Sequence, residues 1–450
     1  MSAIKTYQDL LEAGQDEKAR MEFVRQAINE HRGSDAYKLA EDAEKYYDGE
    51  NPTINRYEKI LYDLQGKAHV DMYTANHKIA SRFFGLAVDQ ECSYLLGNGV
   101  TFEKEDTKNR LGADFDQVIM EGGTSSLVAG VSFGFWNLDH VQVFRLTEFV
   151  PLYDEENGAL MAGIRFWQVA ENKPLRATLY EMDGYTEYLQ RKNKDMEVMA
   201  PKRGYVRIVR HDDGNGTKIY DGENYPGFPI VPLKNGRSGK SELNGRRNTI
   251  DALDLSASNM VNNVDEGNLI YWVLTNCGGM DDLDDVKFVE RLKTLHVVHA
   301  DGDEGARAEP HSIEAPYNGT HATIDMLKKK LYEDFQAFDA SAVSAGNQTA
   351  TAIKASYAPL DLKTDKFEAG VTKFIQGILF LAGVDDKPSY TRNQIINKNE
   401  EIQSVLLCAP YFDEEYITKK LLTILGDADQ YDEMMRRKDA ENMERLAAPA

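Results

Sequence analysis

The run KNGRSGKSEL, residues 234–243, carries the residue types of a phosphate-binding loop: Gly239, Lys240 and Ser241 reproduce the end of G-x-x-x-x-G-K-[ST]. In that chemistry a glycine-rich turn offers backbone N–H groups to phosphate oxygens. The opening glycine would have to be residue 234, which is lysine, so the tight cradle is missing. The run then reads as a loop whose Ser241 caps the next helix. His296 and His299, in HVVH, could suggest a metal. In an extended stretch, residues three apart face opposite sides and cannot share an ion. DGDEG (301–305) and DDGNG (212–216) resemble calcium loops, but neither has the closing glutamate or two flanking helices, so both read as solvated turns. Cys92, Cys277 and Cys408 lie in no nucleophile signature. The expectation is a chain with no catalytic site, no metal and no cofactor.

A different chemistry is available to residues 341–349, SAVSAGNQT. Ser341, Ser344, Asn347, Gln348 and Thr349 offer hydrogen-bonding groups without fixed charge, Gly346 adds backbone freedom, and Lys354 follows. The segment lies between two helical patterns. A catalytic loop, a loop that grips a polymer and a plain linker all fit these residues.

The elements that must position it are set by bulk properties first. With 450 residues and 42% hydrophobic content the chain can fill two to four domains. No stretch approaches the roughly 20 apolar residues that cross a bilayer. The charged start, MSAIKTYQDLLEAGQDEKARMEF, has no apolar core of a secretory signal. Three scattered cysteines suit a reduced compartment, so a soluble protein made inside a cell is expected. The net charge of −22 argues against a DNA-binding regulator, whose affinity comes from neutralising phosphates. It remains compatible with a protein that lets DNA pass without holding it.

Along the chain, residues 5–48 read as helical, with a Ser34 cap and a Gly49/Pro52 stop, and 70–97 as a second helical region. A short helix near 114–121 is expected to end at the EGG of 121–123. Alternating segments between 128 and 233 read as strands. In the next helix, Ile250, Leu253, Ala257, Met260, Val261 and Val264 form an apolar stripe, with Asp251, Asp254, Ser258, Asn262 and Asp265 opposite. Residues 269–318 are short mixed pieces, including a small helix near 282–293. A second stripe follows through Ile324, Leu327, Leu331, Phe335 and Phe338. A long helix from about 350 to 383 contains Pro359, a kink point, and the tail over 392–446 is helical. A mixed module thus lies between two amphipathic helices, and the fold class is α+β.

Three stretches in this order resemble the bacteriophage portal proteins of the SPP1 type. They are ASRFFGLAVDQECSYLLGNGVTFE (80–103), FPIVPLKNGRSGKSELNGRRNTIDALDLSASNMVNNVDEGNLIYWVL (228–274) and GNQTATAIKASYAPLDLKTDKFEAGVTKFI (346–375). The resemblance implies a homo-oligomeric ring, typically of twelve subunits, at one capsid vertex. Residues 1–245 would be the wing, 246–268 and 319–338 the stem helices, and 269–318 the clip. Residues 339–352 would be the tunnel loop, 353–385 a kinked wing helix, and 386–450 the crown. Ser341, Ser344, Gly346, Asn347, Gln348 and Thr349 would then face DNA. Asp251, Asp254, Asn262, Lys328, Lys329, Lys330 and Lys354 become candidates for channel or subunit contacts. Implied partners are double-stranded DNA, the terminase large subunit, a head-completion adaptor, and the major capsid and scaffolding proteins, with no membrane. The protein would be made in the host bacterial cytoplasm and reside in the virion. The readings that compete are an ATP-driven packaging enzyme and an acidic head or tail scaffold.

Overall fold

Thr6, Asp16 and Ser34 open the first three helices of this computed structural model. It describes residues 4–62, 66–71, 75–104, 106–192, 194–205, 210–212, 217–219, 224–267, 271–275, 307–311, 317–341, 350–393, 398–425, 431 and 433–437. Each of the three side chains accepts a backbone N–H of the first turn, which satisfies one of a helix's orphan donors. Helices α1 (Tyr7–Ala13), α2 (Glu17–Gly33) and α3 (Asp35–Tyr47) follow, and Asn51 caps the single turn α4 (Pro52–Asn55), with proline at its first position. The expected Ser34 cap and the break at Gly49/Pro52 are both present.

Phe23, Val24, Ala27 and Ile28 of α2 bury one stripe against a five-stranded antiparallel sheet. Its strands run in chain order from Phe149–Tyr153 through Leu160–Trp167, Leu175–Glu181 and Gly184–Gln190 to Met196–Arg203. Ala162, Ile164 and Phe166 alternate toward the helix, as period-two patterning requires. A second antiparallel sheet sets Val131–Asn137 between His140–Arg145 and Ile230–Lys234.

The main core lies beside this second sheet. It joins α3, α5 (Phe83–Leu96), α7 (Phe115–Ala129), the first half of α8 (Arg247–Gly267), the end of α9 (Tyr317–Phe335) and α10 (Ala350–Ala382); α6 is the short turn Thr107–Arg110. Helix α8 packs along α9, and the chain between them leaves and returns through paired strands Tyr271–Thr275 and Arg307–His311. Helices α11 (Lys398–Cys408) and α12 (Glu414–Leu425) follow and pack on each other. The two histidines of HVVH, the DGDEG run, most of DDGNG and the small helix expected near 282–293 lie outside the described residues.

Two expectations are corrected. The helix expected from residue 70 begins only at Phe83; residues 75–81 are extended, because side chains of α8 take their backbone N–H groups. The EGG run does not stop a helix either: α7 continues through it to Ala129. A Cβ at Gly123 would sit 3.1 Å from Phe367 and 3.2 Å from Leu96, so the glycine is a packing notch between helices.

Candidate functional site

Where α8, α9, α10 and α5 meet, three sets of polar and aromatic side chains tie the amphipathic pair α8–α9 to the rest of the subunit. The first is a ladder on α8. Asp254 Oδ1 accepts the Ser81 N–H at 3.0 Å, Ser258 Oγ accepts that of Ile79 at 2.9 Å, and Asn262 Oδ1 accepts that of His77 at 2.8 Å. Four helical residues rise about 6 Å and two extended residues about 6.6 Å, so the two repeats match. Asp254 Oδ2 and Asp251 Oδ1 accept the Asn51 amide at 2.8 and 3.0 Å, and the Tyr46 hydroxyl donates to Asp251 at 2.5 Å. Burial pushes the Asp254 carboxyl up, against the hydrogen bonds from Asn51 and Ser81.

Asp254, Ser258 and Asn262 are therefore 1%, 3% and 2% exposed. The expectation that Asp254 and Asn262 face a channel or a neighbour is corrected: both are spent inside the subunit, and Asp251 is half-buried beside them. The exposed groups on this part of α8 are Val261 at 37%, Val264 at 46% and Asp265, which pairs with His77.

The second set is ionic. Glu91 lies in the middle of α5, almost fully buried, with its Oε2 2.5 Å from Lys363 Nζ of α10. Lys363 also reaches Glu242 Oε2 at 3.0 Å, and Arg246 contacts the same oxygen at 3.0 Å while its Nε donates to the Asp334 carbonyl at 2.8 Å. Burial pushes the Glu91 carboxyl up to about 7, against the pull of Lys363. Glu242 is half-buried, and Lys363, the Asn235 amide and Arg246 outweigh its desolvation and hold it below the usual carboxylate range. A cavity of about 310 Å³ opens over this cluster, lined in part by Lys240 and Ser241.

The near-phosphate loop thus packs as a structural turn. Its Gly239 N–H donates to Asn235, Asn235 N–H donates to Gly130, and a Cβ at Gly130 would meet the Gly239 carbonyl at 2.5 Å. Ser241 Oγ accepts the Leu243 N–H at 3.1 Å, which makes a local turn ahead of α8 and not the expected helix cap.

The third set is aromatic. Phe338 stacks on Tyr357 at 4.1 Å and 6°, and Tyr357 on Tyr94 at 5.6 Å and 11°. The Gln90 amide holds both sides of the Phe338 backbone, accepting its N–H at 2.8 Å and donating to its carbonyl at 2.9 Å. The Tyr94 hydroxyl donates to Asp361 at 2.5 Å.

Ser341 is exposed, and its N–H and Oγ both donate to Asp339 Oδ1, at 3.0 and 2.6 Å. Ser344, Gly346, Asn347, Gln348 and Thr349 lie outside the described residues. Lys328, Lys329 and Lys330 are exposed on α9, where Lys330 pairs with Asp334 at 2.9 Å; Lys354 is exposed near the start of α10. Among the described residues no group of three His, Cys, Asp or Glu side chains could hold a metal, and no helix is long and apolar enough to cross a membrane. The ionic and aromatic sets were missed in the sequence. Their one signal is that Gln90, Glu91 and Tyr94 interrupt a helix that is otherwise apolar on most sides.

Residues 27–443 match the family model described as phage portal protein, SPP1 Gp6-like. The chain is 24% identical over 395 residues to the portal protein of Clostridium phage phiCD119, covering 80% of this chain and 83% of that one. It is 25% identical over 417 residues to the portal protein of Bacillus phage SPP1, covering 85% and 79% respectively. Among solved structures it is similar to a chain in the neck of a native gene transfer agent particle computed with C12 symmetry. That match has a TM-score of 0.43 and 11% identity, covering 75% of this chain and 89% of the other.

Proposed function

The chain belongs to the SPP1 Gp6-like family of phage portal proteins, and on that premise we propose that it builds a ring-shaped channel at one capsid vertex. Double-stranded DNA enters and leaves the head through this channel. The ring holds twelve copies and serves as a platform for the terminase large subunit, the head-completion adaptor, and the capsid and scaffolding proteins. The chain is made in the host bacterial cytoplasm and carries out no chemistry of its own. Residues 1–245 and 353–385 are the wing, 246–268 and 319–338 the stem helices, 269–318 the clip and 386–450 the crown. Residues 339–352 form the tunnel loop, in which Ser341, Ser344, Gly346, Asn347, Gln348 and Thr349 meet DNA. Lys328, Lys329, Lys330 and Lys354 are exposed positions available to the channel or a neighbouring copy.

The observation that carries this reading is the family match, which runs through every one of these regions. The exposed Val261 and Val264 on α8 support it, since a lone subunit would leave that ridge in water and a ring can cover it. An excess of acidic groups, 74 against 52 basic, suits a conduit that must not trap a polyanion. Two measurements on purified protein test the proposal. Electron micrographs are expected to show closed rings with an axial opening, and ATP turnover is expected to stay at background with and without DNA. Sustained ATP hydrolysis that tracks the protein would favour the packaging-enzyme reading instead.

A further inference from the structure

We propose that Gln90, Tyr94, Phe338 and Tyr357 are positioning residues for DNA passage: they fasten both roots of the 339–352 segment to α5, so that load on the segment passes into the body of the subunit and not into the stem pair. This rests on the portal reading and deepens it. Four features of the fold support the assignment.

Helix α9 is already closed before the fastening begins. Gln336 adopts a left-handed φ of 52°, and Ala337 N–H returns to the Tyr332 carbonyl at 3.0 Å, as at a terminated helix end. Phe338 lies three residues past the last residue of α9, and it is where the outgoing root is gripped. Tyr357, in the opening turns of α10, is where the returning root is gripped, and the two rings lie face to face. The roots are thus joined to each other as well as to α5.

Gln90 is chemically suited to the task. A primary amide accepts from one backbone group and donates to another, and here it does both to one residue, Phe338. Gln90 and Tyr94 stand four residues apart, on one face of α5. That helix is a sound anchor, because Phe84, Ala87, Val88, Cys92, Leu95 and Leu96 are all buried and Glu91 is tied to Lys363 of α10.

Tyr94, Phe338, Tyr357 and Leu360 form a small cluster of their own, separate from the main core. Loosening it is thus expected to free the roots while the subunit stays folded and the ring assembled. The same cluster's loss would be silent in DNA passage if its role were merely to add stability.

The test compares Tyr357→Leu and Gln90→Glu with wild type in full-length rings and in a phage lacking its own portal gene. Gln90→Glu hardly changes volume, but sets a carboxylate oxygen against the Phe338 carbonyl. Tyr357→Phe keeps the stack and serves as the rescue. Phe166→Leu, in the core under α2, is a control of similar size far from α5. Rings are expected from all four variants. Losing the stacks of Tyr357 on Phe338 and on Tyr94 is expected to speed hydrogen exchange of the Phe338 amide about tenfold or more in Tyr357→Leu. Nuclease-protected DNA per ring is expected to fall to a similar degree in Tyr357→Leu and Gln90→Glu. Tyr357→Phe and Phe166→Leu are expected to leave both readouts near wild type. Normal packaging with accelerated exchange overturns the positioning role, as does equal loss of packaging in Phe166→Leu. Unchanged exchange in Tyr357→Leu, or loss of rings in both Tyr357→Leu and Gln90→Glu, overturns the fastening itself. A wild-type chain that supports no packaging counts against the portal reading instead, and removes the ground for this one.

Discussion

Replacing Lys363 by methionine keeps most of the side chain's volume but removes the ammonium shared by Glu91 and Glu242, at 2.5 and 3.0 Å. The three side chains are 10%, 2% and 12% exposed, and water reaches the lost contact only through the cavity of about 310 Å³ that opens over them. Breaking a buried pair from one side costs about 3–5 kcal/mol where the carboxylate is left dry, and the cavity over this cluster sets the cost at the lower end of that range. Arg246 still serves Glu242, so Glu91 bears most of the penalty. The dependence on pH follows from the sign of its shift. Glu91 is raised to about 7 in the folded chain, so the folded state holds the proton more tightly than the unfolded one. Its contribution favours folding at low pH and is lost as pH rises from the ordinary carboxylate range to about 7, a swing of about 3 kcal/mol. Without Lys363 the carboxyl is raised further, so the variant is expected to be weakest at pH 8 and to approach wild type at pH 5. Adding Glu91→Gln to Lys363→Met is expected to recover most of the loss at pH 8. Urea denaturation at fixed protein concentration reads all of this. A loss under about 1 kcal/mol at pH 8, or an equal loss at pH 5 and 8, refutes the reasoning.

Three other perturbations have defined outcomes. Asn262→Ala leaves the His77 N–H without its acceptor, at a cost of about 1–3 kcal/mol, and hydrogen exchange is expected to speed up at His77 before Ile79 and Ser81. Val261→Asp with Val264→Asp places charge on the exposed ridge of α8, so light scattering is expected to show subunits that fold but no longer form rings. Asn347→Glu with Gln348→Glu adds like charge to the segment proposed to face DNA; rings are expected to form while nuclease-protected DNA falls, and full heads would count against that assignment.

The paired amphipathic helices were legible in sequence in the half of each stripe that reaches the main core, where Ile250, Leu253, Leu331 and Phe335 are buried as their spacing requires. The Ser34 cap was legible because capping is a local interaction. Residues 75–81 were not, since their extended form depends on three hydrogen bonds from side chains more than 170 positions away. The same ladder explains the misread face of α8: polarity predicts solvent until a partner backbone is known to need acceptors. Glu91 and Lys363 lie far apart in sequence, and nothing in either neighbourhood announces that they meet. The α5 aromatic stack was equally hidden, for Phe338 reads in sequence as the last member of a helical stripe. In the fold it stands outside the helix and belongs to a different cluster.

The central claim is that this chain assembles as a ring around a DNA-sized opening. Electron cryomicroscopy of the purified full-length protein tests it most directly. The account predicts closed rings of twelve copies, with α8 and α9 around the axis, the 339–352 segments at the narrowest point, and Asp254 and Asn262 buried within each subunit. A stable monomer at micromolar concentration across ordinary salt, or a closed particle with no axial opening, would contradict it.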